Sequence, residues 1–142
     1  MDYYAYLSPV ATHIIRDLIS AKFFLHENIG LCNNKDVFGF VQHPKLFVIC
    51  TKNIRNGGWD MSRYVNETVF HEALHAAQKC NRDQPIGLPI KSMPLPWNKL
   101  QDIKKSIRTI GNYNSAVQRE HEAFYFEDKP DQVRAFVRKY CF

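Results

Sequence analysis

Apolar residues recur at helical spacing near the start of the chain. They follow one another at intervals of three or four residues, as on one face of an α-helix. These residues are Val10, Ile14, Leu18, Ala21 and Leu25. Ser8-Pro9 precedes the run as a typical helix start, and Gly30 follows it as a typical stop. The pattern therefore predicts a first helix that continues through Leu25.

The middle of the chain shows two strand-like segments followed by a helical pattern. The two segments are residues 37–41 and residues 45–51, and the second contains a run of β-branched and aromatic residues. The helical pattern begins near Asp60 or Ser62 and runs to about Lys79. We therefore predict a small β element followed by a long helix.

The remainder combines a proline-rich segment with further helices. Residues 81–97 contain four prolines, which predict a long loop that either covers a cleft as a lid or seals the core. Helical patterns follow from Asn98, over 113–127 and from Pro130, with a break at Gly111-Asn112.

Length and composition agree with one folded unit. The chain has 142 residues, of which 45% are hydrophobic. We expect one domain over residues 1–142, of the α+β class, mostly helical with a small β element before the long helix. No apolar run reaches the roughly 20 residues of a membrane span. The N-terminus lacks the features of a secretory signal, so an intracellular location is expected, with the organelle or host compartment left open.

The net charge of +5 changes this interpretation little. Basic residues in the second half lie at helical spacings with acids between them, which is typical of solvated helix faces and disfavours nucleic-acid binding. The four cysteines form no Cys-x-x-Cys pair, which argues against a zinc ribbon. A reducing compartment favours buried thiols, although an even number also permits two disulfides, and the pairing stays open.

The chemistry of the chain is concentrated in the long helix, where residues 71–75 form a His-Glu-x-x-His motif. Residues four apart lie on one face of a helix, so His71 and His75 can bind one metal ion from the same side. Zinc lowers the pKa of a bound water to about 7, and Glu72 is placed to take its proton as a general base. These are the components of metal-assisted amide hydrolysis.

A catalytic zinc usually has three protein ligands, so a third ligand is required. The residues after His75 lack the glycine and third histidine of the longer HExxHxxGxxH motif. Later in the chain, Glu120, His121 and Glu122 are candidates, and Glu120 with Ala123 forms a Glu-x-x-Ala pattern. We favour Glu120, then Glu122, then His121. Glu127, Asp128 and Asp131 follow and are assigned no catalytic role.

These segments resemble a known family. The chain resembles the mitochondrial metalloprotease family that matures an ATP-synthase subunit. The similar segments are residues 47–54, with Cys50 and Asn53, and the motif helix 67–76 followed by Cys80. The Glu-x-x-Ala segment also resembles the small zinc peptidases that relieve phage repression. The resemblance implies a zincin-like metallopeptidase with Zn²⁺ held by His71, His75 and Glu120, and with Glu72 as base. Gln78 departs from the mitochondrial family, which tends to carry an acid there.

We therefore expect a zinc metallopeptidase that acts on a protein or peptide substrate. The alternative is a catalytically inactive zincin-like module that binds a protein partner. Strand 46–51 is expected to be an edge strand that binds an extended peptide. The oligomeric state stays open.

Overall fold

The computed structural model describes residues 1–110 and 113–142, and the predicted break at Gly111-Asn112 lies outside them. The fold is 63% helical with a three-stranded sheet, which confirms the mostly helical α+β class. The elements, in chain order, are α1 (Pro9–Ser20), β1 (Phe24–Glu27), β2 (Gly39–Gln42), β3 (Leu46–Ile49), α2 (Thr51–Asn56), α3 (Met61–Cys80), α4 (Trp97–Ile110), α5 (Tyr113–Phe126) and α6 (Pro130–Cys141). Short 3₁₀ helices occupy Asp2–Tyr6, Gly30–Asn33 and Ile90–Ser92.

The first helix starts as predicted but ends earlier. The Ser8 hydroxyl accepts a hydrogen bond from Ala11 N, which caps the helix. The helix ends at Ser20, and Lys22 then adopts the left-handed conformation with φ 73°. The prediction of a helix through Leu25 was wrong, because this segment forms β1 and pairs in parallel with β3. Tertiary pairing overrides the local helical spacing here.

The sheet has the order β1-β3-β2, with β2 antiparallel to β3. The central strand β3 is the most buried, since Phe47, Val48 and Ile49 are inaccessible to solvent. The expectation that this strand is a peptide-binding edge was wrong, because it has a neighbour on both sides. The strand also ends at Ile49, and residues 51–56 form helix α2, which the sequence pattern did not indicate.

Helix α3 is the centre of the fold. It begins after Asp60, whose carboxylate caps Arg63 N, close to the predicted start. Its apolar positions pack against α1, α5, α6 and the sheet, and they are the core of the domain.

The proline-rich segment packs onto α5. Met93 is buried, and the backbone amides of Ile86 and Gly87 donate to the Glu122 carboxylate. Leu88 O accepts from the Gln118 side chain. These contacts favour sealing of the core over a lid.

The four cysteines form two disulfides, Cys32–Cys50 and Cys80–Cys141. The first connects the loop before β2 to the end of β3, and the second connects the ends of α3 and α6. Among residues 1–110 and 113–142, no helix is both long and apolar enough to cross a bilayer.

Candidate metal centre

Helix α3 presents His71 and His75 one turn apart on its surface. Their ring centroids lie 5.1 Å apart, and both side chains are largely buried. The ring of His71 also packs edge-on against Phe124 of α5, with 4.6 Å between centroids. The two imidazoles therefore face the space between α3 and α5.

Helix α5 brings Glu120 to the two histidines. Glu120 Oε1 lies 2.6 Å from His75 Nε2, and Glu120 Oε2 lies 3.8 Å from His71 Nε2. One ligand atom from each of the three residues falls within 4.8 Å of the others. Ala123, one turn further along α5, is fully buried, and its small side chain permits close approach to α3.

The two alternative ligands lie elsewhere. His121 Nε2 is 2.6 Å from Met93 O, on the side of α5 that carries the proline-rich segment. The Glu122 carboxylate accepts hydrogen bonds from two backbone amides of that segment and from Gln78 and Gln118. Successive helix positions diverge by about 100°, so only one of the three consecutive residues can face the histidines.

Glu72 lies beside the trio and is only 7% exposed. Burial raises the pKa of its carboxyl group above the ordinary value, although the neighbouring histidines oppose this. A Cβ atom at Gly39 of β2 would lie 3.0 Å from Glu72 Cγ, so the strand backbone packs directly on this side chain. Glu72 is thus held between α3 and the sheet without being part of the trio.

Each histidine has a second polar partner. His71 Nδ1 donates to Glu127 Oε1 at 2.8 Å, and His75 Nδ1 lies 2.8 Å from Gln78 Oε1. Glu127, for which the sequence indicated no catalytic role, is 4% exposed and belongs to the site. Its spacing of seven residues from Glu120 places both on one face of α5, and this signal could have found it.

The contacts of Glu127 extend away from the trio. Lys99 Nζ of α4 lies 3.6 Å from Glu127 Oε2. Glu67, one turn before His71, faces the same carboxylate, and burial together with the charge of Glu127 raises the pKa of Glu67 to about 7.

The three central residues carry linked charges. Burial alone would lower the pKa of both histidines, but hydrogen bonds and the charge of Glu120 outweigh it and raise the pKa of each. The same contacts hold the pKa of Glu120 well below its ordinary value, against the effect of burial. The site is therefore built around an ionised Glu120.

A cleft of about 590 Å³ opens onto these residues. One wall is apolar and comes from Leu31, Val37 and residues 39–41 of β2. The other walls come from α3 and α5, including Lys79 and Arg119. The trio and Glu72 lie where these walls meet.

A comparison with known families matches residues 3–142 to a family described as Domain of unknown function (DUF8637). The chain belongs to the DUF8637 family. Neither the curated proteins nor the solved structures contain a match to it. The family description states no activity, so the resemblance of this DUF8637 chain to metallopeptidases stays a prediction.

The side chains of the DUF8637 site fit a zinc ion. Two imidazoles and one carboxylate are a common ligand set of catalytic zinc. Tetrahedral zinc at 2.0–2.1 Å from its ligands separates two ligand atoms by about 3.3 Å, and the two distances from Glu120 to the histidines bracket that value. Both Nδ1 atoms already have acceptors, which leaves the Nε2 atoms to face Glu120.

Proposed function

We propose that this DUF8637 protein is a zinc-dependent metallopeptidase. The observation that supports the proposal best is the convergence of His71, His75 and Glu120 beside Glu72, which is buried but faces a cleft. A purely structural metal site has no need of the additional carboxylate.

The residues divide into holding and proton-transferring roles. His71, His75 and Glu120 would hold the ion, which when bound activates water and polarises the carbonyl of the scissile bond. Glu72 accepts a proton from the attacking water and then donates it to the nitrogen of the leaving amine. Glu72 is buried yet lines the cleft, so its carboxylate lies beside both the three proposed ligands and the space open to a substrate.

The position of β2 supports an extended peptide as substrate. Strand β2 is at the edge of the sheet, and residues 39–41 line the cleft. An edge strand has backbone groups that can pair with an extended chain, and here they lie beside Glu72. Val41 and Phe40 add apolar surface for substrate side chains.

The first experiment tests the metal. We expect about one zinc per purified chain, measured by elemental analysis, and its loss in His71→Ala and Glu120→Gln. The matched control is His26→Ala, which changes an exposed histidine on β1 and is expected to keep zinc. Zinc retained in Glu120→Gln at the wild-type level would remove the proposed third ligand.

The second experiment tests the reaction with a peptide library analysed by mass spectrometry. Glu72→Gln is expected to keep zinc and lose hydrolysis. Glu27→Gln, an isosteric change on β1 whose carboxylate contacts Asp2, Tyr3 and Thr51 outside the site, is expected to keep both. A zinc-loaded wild-type protein that cleaves no peptide would support the alternative of an inactive protein-binding module.

A further inference from the structure

A buried amide lies behind His75. Gln78 is 1% exposed, and its Oε1 atom lies 2.8 Å from His75 Nδ1. Gln78 is a neutral partner, whereas His71 has the carboxylate of Glu127 in the equivalent position. The two histidines of the site are therefore oriented by chemically different groups.

The orientation of the Gln78 amide is determined by neighbouring groups that can only accept hydrogen bonds. Gln78 Nε2 lies 3.0 Å from the backbone carbonyl oxygen of Arg119, which has no hydrogen to give. Gln78 Nε2 also lies 2.9 Å from Glu122 Oε1. The NH₂ end of the amide must face these two atoms, so the oxygen end must face His75.

An amide oxygen accepts and cannot donate, so Nδ1 of His75 must carry a hydrogen atom. The lone pair of a neutral His75 ring is then on Nε2, the atom that faces Glu120. In the alternative tautomer, the lone pair of Nδ1 would face the lone pairs of the Gln78 oxygen, with no hydrogen atom between the two atoms to form a hydrogen bond.

Glu122 is in turn anchored by the proline-rich segment. Its Oε1 atom accepts from Ile86 N at 2.8 Å, and its Oε2 atom accepts from Gly87 N at 2.8 Å. A carboxylate at position 78 would place a second negative charge next to Glu122 in this buried space, which is costly. A neutral amide satisfies both His75 and Glu122.

We propose that Gln78 is a positioning residue that holds His75 in the tautomer able to bind the metal through Nε2, and that Glu122 and the backbone of residues 86–87 hold Gln78. The inference rests on the proposed function, because it concerns the same metal. It assigns a role in the site to Glu122, which is too far round α5 to be a ligand. Groups that orient a metal-bound histidine typically contribute about 10- to 100-fold in metal affinity.

The chain offers a closely matched control. Gln118 also donates to Glu122, at 2.9 Å, and to a backbone carbonyl, that of Leu88 at 2.6 Å. Gln78→Met and Gln118→Met therefore each remove one hydrogen bond to Glu122 and one to the backbone, with a side chain of similar length. Only the first removes the partner of His75.

The test is zinc affinity measured by chelator competition, with unfolding of the metal-free proteins measured in parallel. We expect Gln78→Met to weaken zinc binding about 10- to 100-fold and Gln118→Met to leave it near the wild-type value, with similar losses of metal-free stability. Equal zinc affinities in the two variants would overturn the positioning role while leaving the proposed function intact. A wild-type protein that binds no zinc overturns both.

A measurement on the unmodified protein covers the case in which Gln78→Met does not fold. ¹⁵N NMR of the zinc-loaded wild type is expected to show a hydrogen on Nδ1 of His75 and none on Nε2. Zinc bound through Nδ1 would refute the inference.

Discussion

Gly39→Ala is expected to impair hydrolysis without touching a proposed metal ligand. A Cβ atom at this position would lie 2.8 Å from Thr68 Cγ2, 3.0 Å from Glu72 Cγ and 3.0 Å from Val48 O. Val48 O belongs to the central strand, which is paired on both sides. The Thr68 hydroxyl is hydrogen-bonded to Tyr64 O at 2.6 Å. Strand β2 and helix α3 must therefore separate locally, and Glu72 is displaced with them.

The size of the effect follows from these contacts. Overpacking by one methyl group in a well-packed region costs about 1–3 kcal/mol of stability. A displacement of about 1 Å in a catalytic group can cost about 100-fold in rate. Zinc affinity should change little, because the added methyl group contacts Glu72 and not the three ligands.

The assay compares unfolding in urea, zinc affinity by chelator competition and peptide hydrolysis. The control is Gly58→Ala, a site with φ +73° and no atom within 4 Å of the added Cβ. Left-handed backbone strain there costs about 1 kcal/mol, without any contact to Glu72. Gly39→Ala with wild-type hydrolysis and an unchanged unfolding midpoint would refute the packing argument, as would equal losses of hydrolysis in both variants.

Three further predictions concern the surroundings of the site. The double variant Cys80→Ser/Cys141→Ser removes a disulfide that joins residues 61 positions apart in the chain. We expect its free energy of unfolding, measured in urea, to be lower than that of the wild type by about 4 kcal/mol, because the unfolded chain gains conformational freedom. An unchanged unfolding midpoint would mean that the two sulfurs are not joined. Glu127→Gln keeps a hydrogen-bond acceptor for His71 Nδ1 but removes the negative charge of the acceptor. Chelator competition should then show zinc binding weaker by about tenfold. A wild-type zinc affinity would contradict the orienting role of the Glu127 carboxylate. The pKa of Glu67 is raised from 4.5 to about 7, so the folded state binds the proton more tightly, and metal-free stability should fall as the pH rises between these values. Since Glu67 is partly exposed, we expect it to contribute only about 1 kcal/mol to this fall, measured as the difference between wild type and Glu67→Gln in urea unfolding at pH 5 and pH 8. The raised pKa values of His71 and His75 add a fall of the same sign in both proteins, so an equal fall in the two would contradict the role of Glu67.

The local elements of the site could be predicted because they depend on neighbours in the chain. The 20 residues of α3 and the cap at Asp60 follow from periodicity and capping chemistry. The placement of His71 and His75 on one side follows from helix geometry alone. The Glu-x-x-Ala spacing favoured Glu120, and the structure places that residue against the histidines.

Other features depended on contacts between distant segments. Strand β1 was mistaken for a continuation of α1, because its pairing partner β3 lies about twenty residues later in the chain. Glu127 was passed over because acidic residues near a helix start, here the start of α6, ordinarily complement the helix dipole. Its burial against His71 appears only when α5 packs on α3.

The amino-acid sequence by itself determined which side chains share a helix face, because a helix repeats every 3.6 residues whatever surrounds it. The tertiary structure decided which face of α5 meets α3, and hence that Glu120 points to the histidines while His121 and Glu122 point to the proline-rich segment. That choice depends on the packing of whole elements around a shared core, and no spacing within one segment contains it.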